Sequence, residues 1–337
     1  MPSTDDKPAS VPAVSTDKEL VLAQKALETG DRYSIAQLIT LFEDPRPVAF
    51  SKRDAVIHYF WQSKKSHRAT FSGITGTPGT GKSSLIGELA LRFITADANV
   101  RVAILAVDPS SEISGGSLLG DRTRVRFPVD ESRLYFRSQA SDRELGGMSR
   151  STFSVCRLLY HLFDHVLIET VGIGQNEIEV QHIADRVYLV LQPLTGDQVQ
   201  FMKAGIMEIP DAFVLNKCDQ TELARTTYYS LKASLNFVRP NQEPVSIFRV
   251  SALTGMGLDQ LSGDMQHRRN QLLTGDGWGT SADAELYRKE IFYFEKWVRD
   301  EFGRYGLRKL KSIGGAGQYM DKNGGFDLAR QKFLLLF

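Results

Sequence analysis

The chain has 337 residues, with 41 Lys and Arg against 40 Asp and Glu, so its formal net charge is only +1. This balance gives no overall field to attract nucleic acid or an anionic membrane, and neither is expected as a partner. No stretch is apolar enough to span a bilayer and the polar N-terminus lacks a hydrophobic signal core, so we expect a cytoplasmic protein. Cys156 and Cys218 lie in apolar segments without metal-binding spacing, which predicts reduced, packed thiols.

The first 67 residues precede the nucleotide-binding motif. Residues 1–16 are polar and contain Pro and Ser, which predicts a flexible lead-in. Residues 17–67 are predicted to form an N-terminal helical extension of three helices. They comprise a helix from Asp17 that ends before Gly30, a second over Ile35–Phe42 and a third over Lys52–Lys64. The pattern leaves open whether these helices pack on the sheet or form a subunit interface.

A complete phosphate-binding loop follows. Thr70–Thr75 reads as a buried strand and Ser84–Phe93 has apolar residues at helical spacing, so the segment between them joins a strand to a helix. That segment is a G-x-x-x-x-G-K-S motif comprising Gly76, Thr77, Pro78, Gly79, Thr80, Gly81, Lys82 and Ser83. Its backbone N–H groups and the helix N-terminus favour phosphate, Lys82 is predicted to reach the β- and γ-phosphates, and Ser83 to ligate Mg²⁺. Ser84 is included in the predicted nucleotide site. The alternative, a glycine-rich turn that binds nothing, is disfavoured by the full motif in this setting.

Beyond the loop, strand and helix patterns alternate, which predicts an α/β fold with a mostly parallel, doubly wound sheet over residues 68–273. Predicted strands are Arg101–Val107, Arg133–Ser138, His165–Glu169, Arg186–Gln192, Ala212–Leu215 and Val245–Val250. Predicted helices are Met148–Leu162, Gln175–Ile183, Gln198–Met207, Thr221–Phe237 and Leu258–Leu273.

Residues 274–337 are predicted to be a C-terminal helical arm. After a flexible break, Glu285–Arg304 reads as a long amphipathic helix whose aromatic stripe is typical of a core or a subunit interface. Leu334–Phe337 is an apolar end that we expect to be packed or in contact with another surface.

Carboxylates follow two of the predicted strands. Asp108 ends one strand, and Asp121 follows a glycine-rich turn thirteen positions later. Both are candidate Mg²⁺ ligands, although capping of a turn or helix is the alternative. Glu169 ends another strand and is predicted to bind or orient Mg²⁺ through water. After it, a Gly172 N–H is positioned to sense the γ-phosphate, and Gln175 is a candidate for positioning water, although a glutamine that opens a helix is usually just solvated.

The identity of the base is predicted by N-K-x-D after the strand over Ala212–Leu215. Asp219 is expected to accept hydrogen bonds from guanine N1–H and the exocyclic amine, which adenine cannot provide. Asn216 is expected to meet the N7 edge and brace the loop, and the Lys217 stem to lie over the ring. Ser251, Ala252 and Leu253 are predicted to complete the pocket with a backbone N–H to guanine O6. Together these motifs indicate a GTPase.

The chain from about Gly30 to Leu273 resembles the chaperone GTPases of adenosylcobalamin-dependent acyl-CoA mutases, the methylmalonyl-CoA mutase accessory proteins also labelled arginine/ornithine transport kinases. It looks especially like the G-domain of the fused isobutyryl-CoA mutases. The matching segments are TGTPGTGKSSL, AVDPSSEISGGSLLGDRTR, IETVGIGQNEIEV, LTGDQVQFMKAGIMEIPD and NKCD. The resemblance implies a P-loop NTPase fold of the SIMIBI class and a Mg²⁺ shell of Asp108, Asp121 and Glu169 with Ser83. It also implies that Leu194–Met207 is an additional switch loop that contacts the mutase and carries Lys203 toward the nucleotide.

The resemblance implies a function as well. The implied function is that of a Mg²⁺-dependent GTPase that gates cofactor loading, or removal of inactive cobalamin, for an isobutyryl-CoA, 2-hydroxyisobutyryl-CoA or methylmalonyl-CoA type mutase. Its expected partners are that mutase, its cobalamin-binding subunit and an adenosyltransferase. No D-x-H-x-x-G cobalamin motif is present, so a stand-alone G-protein is expected. The C-terminal region resembles the linker of the fused enzymes, which leaves the oligomeric state open, with a homodimer as one expectation.

Three other classes of function remain open. A GTPase metallochaperone for a nickel enzyme shares the architecture, but the six scattered His residues and unpaired Cys residues form no metal-delivery cluster in the sequence. A kinase for a small molecule or a transport protein would transfer phosphate. An interaction module that only senses GTP would not hydrolyse it.

Overall fold

A single parallel sheet organises the chain. The computed structural model describes residues 17–108, 131–140, 151–170, 175–193, 210–238, 245–275 and 281–337, with the backbone alone for residues 108, 140, 175–178, 237 and 238. In these ranges the strands are β1 Thr70–Thr75, β2 Val102–Asp108, β3 Leu134–Ala140, β4 His165–Thr170, β5 Arg186–Leu191, β6 Ala212–Leu215 and β7 Ser246–Arg249. Their order is β3-β2-β4-β1-β5-β6-β7, and every neighbouring pair is parallel. The predicted α/β fold with a mostly parallel sheet is confirmed.

Helices cover both faces of this sheet. The described helices are α1 Asp17–Thr29, α2 Arg32–Glu43, α3 Val48–Gln62, α4 Lys82–Ala96, α5 Thr152–Leu162, α6 Gln175–Ile183, α7 Thr221–Val238, α8 Leu258–Thr274, α9 Ala282–Ser312, α10 Gly315–Asn323 and α11 Phe326–Leu334. Among these helices, none contains a stretch long and apolar enough to traverse a lipid bilayer.

Alternating side chains of the strands build two cores. On β2, Val102 and Ile104 pack with α4 and α8, whereas Ala103, Leu105 and Val107 pack with the helices of the opposite face. This is the period of two that a strand buried on both faces requires. The second core contains apolar residues of α1, α2, α3, α5, α6 and α9 to α11. The N-terminal helices therefore pack within the chain's own core, which answers the alternative that the sequence leaves open.

Two described element boundaries differ from the prediction by four residues or more. The third helix begins at Val48, four residues before the predicted Lys52, because Pro47 precedes it with a φ of −57°, which is preorganised for a helix start. The long helix α9 continues past the predicted Arg304, although Gly303 interrupts it with a φ of 60° and a ψ of −151°. The predicted helix Gln198–Met207 and the first residues of Met148–Leu162 lie outside the described residues.

The C-terminal arm folds back onto the N-terminal helices. Helices α10 and α11, which no local pattern predicts, follow Gly314 and Gly325, whose φ values are 106° and 95°. Phe333 of α11 is fully buried in the core shared with α3 and α9. The apolar end is only partly packed: Phe337 stacks on Phe302 with ring centroids 4.3 Å apart, but 53% of Phe337 stays exposed.

Both cysteines are buried and free, as predicted. Burial raises the pKa of the Cys156 thiol to about 12, and the Cys218 Sγ donates a hydrogen bond of 3.1 Å to the Leu215 carbonyl oxygen. Neither thiol is positioned as a thiolate nucleophile at neutral pH, so both serve as packing groups.

Candidate nucleotide-binding site

The phosphate-binding loop leaves the carboxyl end of β1, which lies between β4 and β5 in the sheet. Gly76 has a φ of 141°, and a Cβ atom there would lie 2.2 Å from the Val190 carbonyl oxygen. Gly81 has a φ of 85°, and its Cβ would lie 2.6 Å from Asn216 Nδ2. These two positions need glycine both for backbone conformation and for close approach, of Gly76 to the β5 backbone and of Gly81 to the Asn216 side chain. The two glycines therefore allow the loop to pack against β5 and Asn216, in addition to their suitability for binding phosphate.

Lys82 is the first residue of α4 and is 6% exposed. Its Nζ donates hydrogen bonds to the carbonyl oxygens of Gly76, at 2.6 Å, and Thr77, at 3.1 Å. These two carbonyl oxygens accept from two of the three N–H donors of the ammonium group, and neither carries a formal charge. A phosphate oxygen would form a stronger, charge-assisted hydrogen bond than either carbonyl.

Ser83 and Glu169 come together beside the loop. The Ser83 hydroxyl donates a hydrogen bond of 2.7 Å to Glu169 Oε1. Glu169 is 6% exposed and lies on β4, in register with Ile74 of β1 and with Ala106 of β2. A hydroxyl and a carboxylate are the hard oxygen donors that Mg²⁺ prefers, so the residues present fit this metal.

The strand register also locates the other predicted metal ligands. Asp108 ends β2, two residues beyond the position paired with Glu169, so its backbone lies at the same edge of the sheet. Asp121, Gly172 and Lys203 lie outside the described residues, and for Gln175 only the backbone at the start of α6 is described. The roles predicted for these residues therefore stay predictions.

A cavity of about 680 Å³ extends from the loop across the adjacent strand ends. Its lining combines α4 with the segments that follow β6 and β7, namely Gly81, Ser84, Glu88, Asn216, Lys217, Asp219, Gln220, Ser251, Ala252 and Leu253. Pro78 and Gly79 are exposed, whereas the Thr80 side chain is buried and its Oγ1 donates to the Thr77 carbonyl oxygen at 2.9 Å. The volume lies within the range of small-molecule and cofactor sites.

Asn216 and Lys217 connect the two ends of this cavity. Asn216 Nδ2 donates to the Thr80 carbonyl oxygen at 2.9 Å, and Asn216 Oδ1 accepts from the Ala252 N–H at 3.1 Å. Lys217 has a φ of 60°, unusual for a residue with a side chain, and its Nζ donates to the Gly79 carbonyl oxygen at 2.6 Å. The N-K-x-D segment is therefore bonded directly to the phosphate-binding loop.

Asp219 is held by the last predicted segment of the pocket. The Ser251 hydroxyl donates to Asp219 Oδ1 at 2.6 Å. The Ser251 N–H is bonded to the Met256 carbonyl oxygen and the Ala252 N–H to Asn216. Within the described residues, Leu253 is the member of the predicted trio whose N–H has no acceptor. It is the member available to guanine O6 without breaking another bond.

Three residues at the site are not among those that the motifs predict. Glu88 lines the cavity one helical turn after Ser84. Residues spaced i, i+4 share one face of a helix, so this position could have been predicted from that of Ser84. Gln220 lines it directly after the N-K-x-D segment. Gln192 follows β5, and its Oε1 accepts a 2.6 Å hydrogen bond from Lys217 Nζ, a contact that no local pattern predicts.

The family model described as "Methylmalonyl Co-A mutase-associated GTPase MeaB" matches residues 35–301. The chain belongs to the MeaB family. The match extends from the second N-terminal helix through most of α9 and thus includes the whole nucleotide site. The predicted family resemblance is confirmed.

Similar proteins agree with this assignment. A probable GTPase of Mycobacterium tuberculosis is 36% identical over 281 residues, covering 82% of this chain and 81% of the relative. A Caenorhabditis elegans protein named "Methylmalonic aciduria type A homolog, mitochondrial" is 32% identical over 294 residues, covering 82% of this chain and 71% of the relative. The crystal structure of an LAO/AO transport system kinase aligns with a TM-score of 0.63 at 20% identity, covering 96% of this chain and all of that one, and this likeness supports the fold alone. This MeaB-family chain is a GTPase.

Proposed function

We propose that this MeaB-family GTPase is Mg²⁺-dependent and acts as a chaperone for an adenosylcobalamin-dependent acyl-CoA mutase. In this role it gates the loading of cobalamin cofactor and the removal of inactive cofactor. The observation that carries the proposal is the bonded constellation of Lys82, Ser83, Glu169 and Asn216 at one sheet edge, within a chain whose family is named for its association with methylmalonyl-CoA mutase.

Lys82 and the loop backbone would bind the phosphates. On nucleotide binding, the ammonium group of Lys82 exchanges the Gly76 and Thr77 carbonyl oxygens for phosphate oxygens, which gives shorter and stronger hydrogen bonds. The N-terminus of α4 adds its positive dipole end at the same place. Binding therefore needs a local change of hydrogen-bond partners and no large rearrangement of the described residues.

Ser83 and Glu169 would hold the metal ion, with Asp108 and Asp121 as further proposed ligands. Bound Mg²⁺ supplies positive charge that offsets the charge of the β- and γ-phosphates. The Ser83 hydroxyl that now donates to Glu169 would turn its lone pair toward the cation, while Glu169 accepts from the waters around it. Glu169 is thereby proposed to orient the hydration shell.

Asp219 would select guanine. One of its carboxylate oxygens accepts from Ser251, which fixes the side chain beside the cavity. Guanine offers two donors, N1–H and the exocyclic amine, to this carboxylate, whereas adenine has no donor at either of these positions. The Lys217 stem, anchored at both Gly79 and Gln192, would cover one face of the base.

We propose that the mutase partner supplies catalytic groups that the described part of the site lacks. No arginine finger is seen among the described residues, so we expect slow hydrolysis by the free chain. We propose that Gly172 senses the γ-phosphate, that Gln175 positions water and that Lys203, within a switch loop over Leu194–Met207, responds to the mutase. The mutase would be of the isobutyryl-CoA, 2-hydroxyisobutyryl-CoA or methylmalonyl-CoA type, met in the cytoplasm with its cobalamin-binding subunit and an adenosyltransferase. A homodimer of this chain is part of the same proposal.

Stimulated hydrolysis tests the proposal. The full chain is mixed with each type of purified mutase, and phosphate release from GTP is measured with and without the mutase. We expect one mutase to raise the rate several-fold and to retain this chain on a pull-down in the presence of a non-hydrolysable GTP analogue. Lys82→Ala serves as the inactive control. A chain that hydrolyses GTP but neither binds nor responds to any of these mutases would contradict the chaperone role, and transfer of labelled phosphate to a protein or small molecule would indicate a kinase instead.

A further inference from the structure

A second cavity, of about 370 Å³, lies on the face of the sheet that the terminal helices cover. Its walls come from α2, α3, α5, α9 and α11 together with the turn between α2 and α3. None of its lining residues lines the nucleotide cavity. The two cavities are therefore separate.

Arg330 of α11 is the unusual residue of this cavity. Its guanidinium carbon lies 4.7 Å from the ring centroid of Phe50, 4.8 Å from that of Trp297 and 5.6 Å from that of Phe326. Its Nε is buried without a hydrogen-bond partner, and no carboxylate of the described residues forms an ion pair with it. Burial lowers the pKa of Arg330 to about 10. A guanidinium group carries five donors, and burying it without an anion is unfavourable unless something else occupies them.

The neighbouring buried carboxylate, Asp327, favours the charged form of Arg330 but forms its ion pairs with two other arginines. Asp327 ion-pairs with Arg157 at 2.5 Å and with Arg53 at 3.7 Å. Arg53 also donates from Nε to the Leu41 carbonyl oxygen at 2.9 Å. Arg330 is therefore the arginine of this cavity whose N–H groups form no hydrogen bond with the described residues.

Acidic groups limit the charge that an occupant can carry. Glu43 lines the cavity and pairs with Arg137 at 2.6 Å. Glu301 lines it as well and its negative charge favours the charged form of Arg330. A dianion such as a phosphate monoester would be repelled by both carboxylates, whereas a monoanion meets less repulsion.

We propose that this cavity binds a small monocarboxylate with a compact apolar body. The planar guanidinium fork of Arg330 matches a carboxylate in two parallel hydrogen bonds. The rings of Phe50 and Trp297 offer apolar walls, and the Ser154 side chain, which also lines the cavity and is 3% exposed, offers a hydroxyl. The volume suits a ligand of this size.

The experiment compares a carboxylate with its neutral isostere. 4-Fluorobenzoate and 4-fluorobenzamide have nearly the same shape, and their ¹⁹F signals are titrated with the full chain in the presence of saturating GDP and Mg²⁺, which occupies the nucleotide site. We expect 4-fluorobenzoate to bind at least tenfold more tightly than the amide. Equal binding of the two, or no binding of the carboxylate, would overturn the proposal. Tighter binding of 4-fluorophenyl phosphate than of the carboxylate would overturn the assignment of a monoanion.

Variants locate the binding. Arg330→Met keeps an extended side chain among the rings and should weaken 4-fluorobenzoate binding at least tenfold with GTP hydrolysis unchanged. Arg308→Met removes an exposed arginine of α9 and should bind as the wild type does. Arg330→Lys should fold in any case and bind with intermediate affinity. Undiminished binding in both Arg330 variants would place the ligand elsewhere and refute the inference, and if Arg330→Met does not fold, Arg330→Lys decides.

Discussion

The Ser83 hydroxyl donates a 2.7 Å hydrogen bond to Glu169 Oε1, which joins the first turn of α4 to the end of β4. The first of these residues belongs to the phosphate-binding loop and the second to a strand end eighty-six positions later. Because the parallel register places Glu169 beside β1, the contact follows from the sheet order. We therefore expect metal or phosphate binding at Ser83 to change the hydrogen bond to Glu169 of β4, shortly before the segment that contains Gly172.

Replacing Glu169 with Gln keeps the shape and removes the charge. We expect the Mg²⁺ concentration for half-maximal hydrolysis to rise, or the rate at saturating Mg²⁺ to fall, by roughly 10- to 100-fold, as for partners that orient metal ligands. The measurement is GTP hydrolysis against Mg²⁺ concentration. Glu222→Gln, at an exposed position of α7, is the matched control. An unchanged Mg²⁺ dependence would remove Glu169 from the metal shell.

Replacing Lys82 with Ala should abolish measurable hydrolysis, because no other described cation contacts the loop carbonyl oxygens of both Gly76 and Thr77. Phosphate release is measured under single-turnover conditions, with circular dichroism to check the fold. Lys232→Ala on the exposed side of α7 should retain the wild-type rate. Turnover of Lys82→Ala near the wild-type rate would refute the role assigned to this lysine.

Replacing Asp219 with Asn should shift base preference from GTP toward xanthosine triphosphate. The amide presents a donor where guanine needs an acceptor, so GTP binding should weaken by roughly 10- to 100-fold. Competition between the two nucleotides measures the change, and Asp300→Asn on α9 is the control. The Ser251 hydroxyl can still donate to the amide oxygen, so the loop should keep its position. Unaltered selectivity would mean that another group reads the base.

Two glycines of the loop should differ in their tolerance of alanine. At Gly76 a Cβ would lie 2.2 Å from the Val190 carbonyl oxygen, so Gly76→Ala should lower the free energy of unfolding by about 3 kcal/mol. At Gly79, with a φ of 84°, no described atom lies within 4 Å of the added Cβ, so only backbone strain of about 1–2 kcal/mol is expected. Urea unfolding of both variants tests the difference, and equal losses would contradict it.

Asp54 of α3 should make stability depend on pH. Burial, followed by the charge of Asp327, raises its pKa to about 6, while Arg157, His58 and Lys332 act in the opposite sense. Because the folded state holds this proton more tightly than the unfolded state, stability falls as pH rises from about 4 to about 6 and is level above that.

Asp54→Asn removes this dependence. The variant should be more stable than the wild type by about 1 kcal/mol at pH 7.5, a value reduced because water reaches part of the carboxyl group, and the difference should vanish near pH 4. Urea unfolding at a series of pH values provides the test. A constant difference across the series would indicate an effect unrelated to the titration of Asp54.

The strands and the nucleotide site are largely predictable because they depend on local patterns. β1 and β6 have the predicted bounds, since buried strands are continuous apolar runs that end at glycine or polar residues. The contact of Gln192 with Lys217 is not predictable in this way, because it depends on which strands become neighbours. Helices α10 and α11 are short, and helices of nine residues are stable only through packing.

The packing of α11 against α3 and α9 has a consequence for cooperativity. Phe333 and Phe326 belong to the same core as Phe71 of β1, the strand that leads into the phosphate-binding loop. Residues near the two ends of the described chain thus stabilise the strand at its centre. We propose that the N-terminal helices, the sheet and the C-terminal arm melt together in one calorimetric transition, so that guanine nucleotide added at the loop would raise the melting temperature of α11 as much as that of α4.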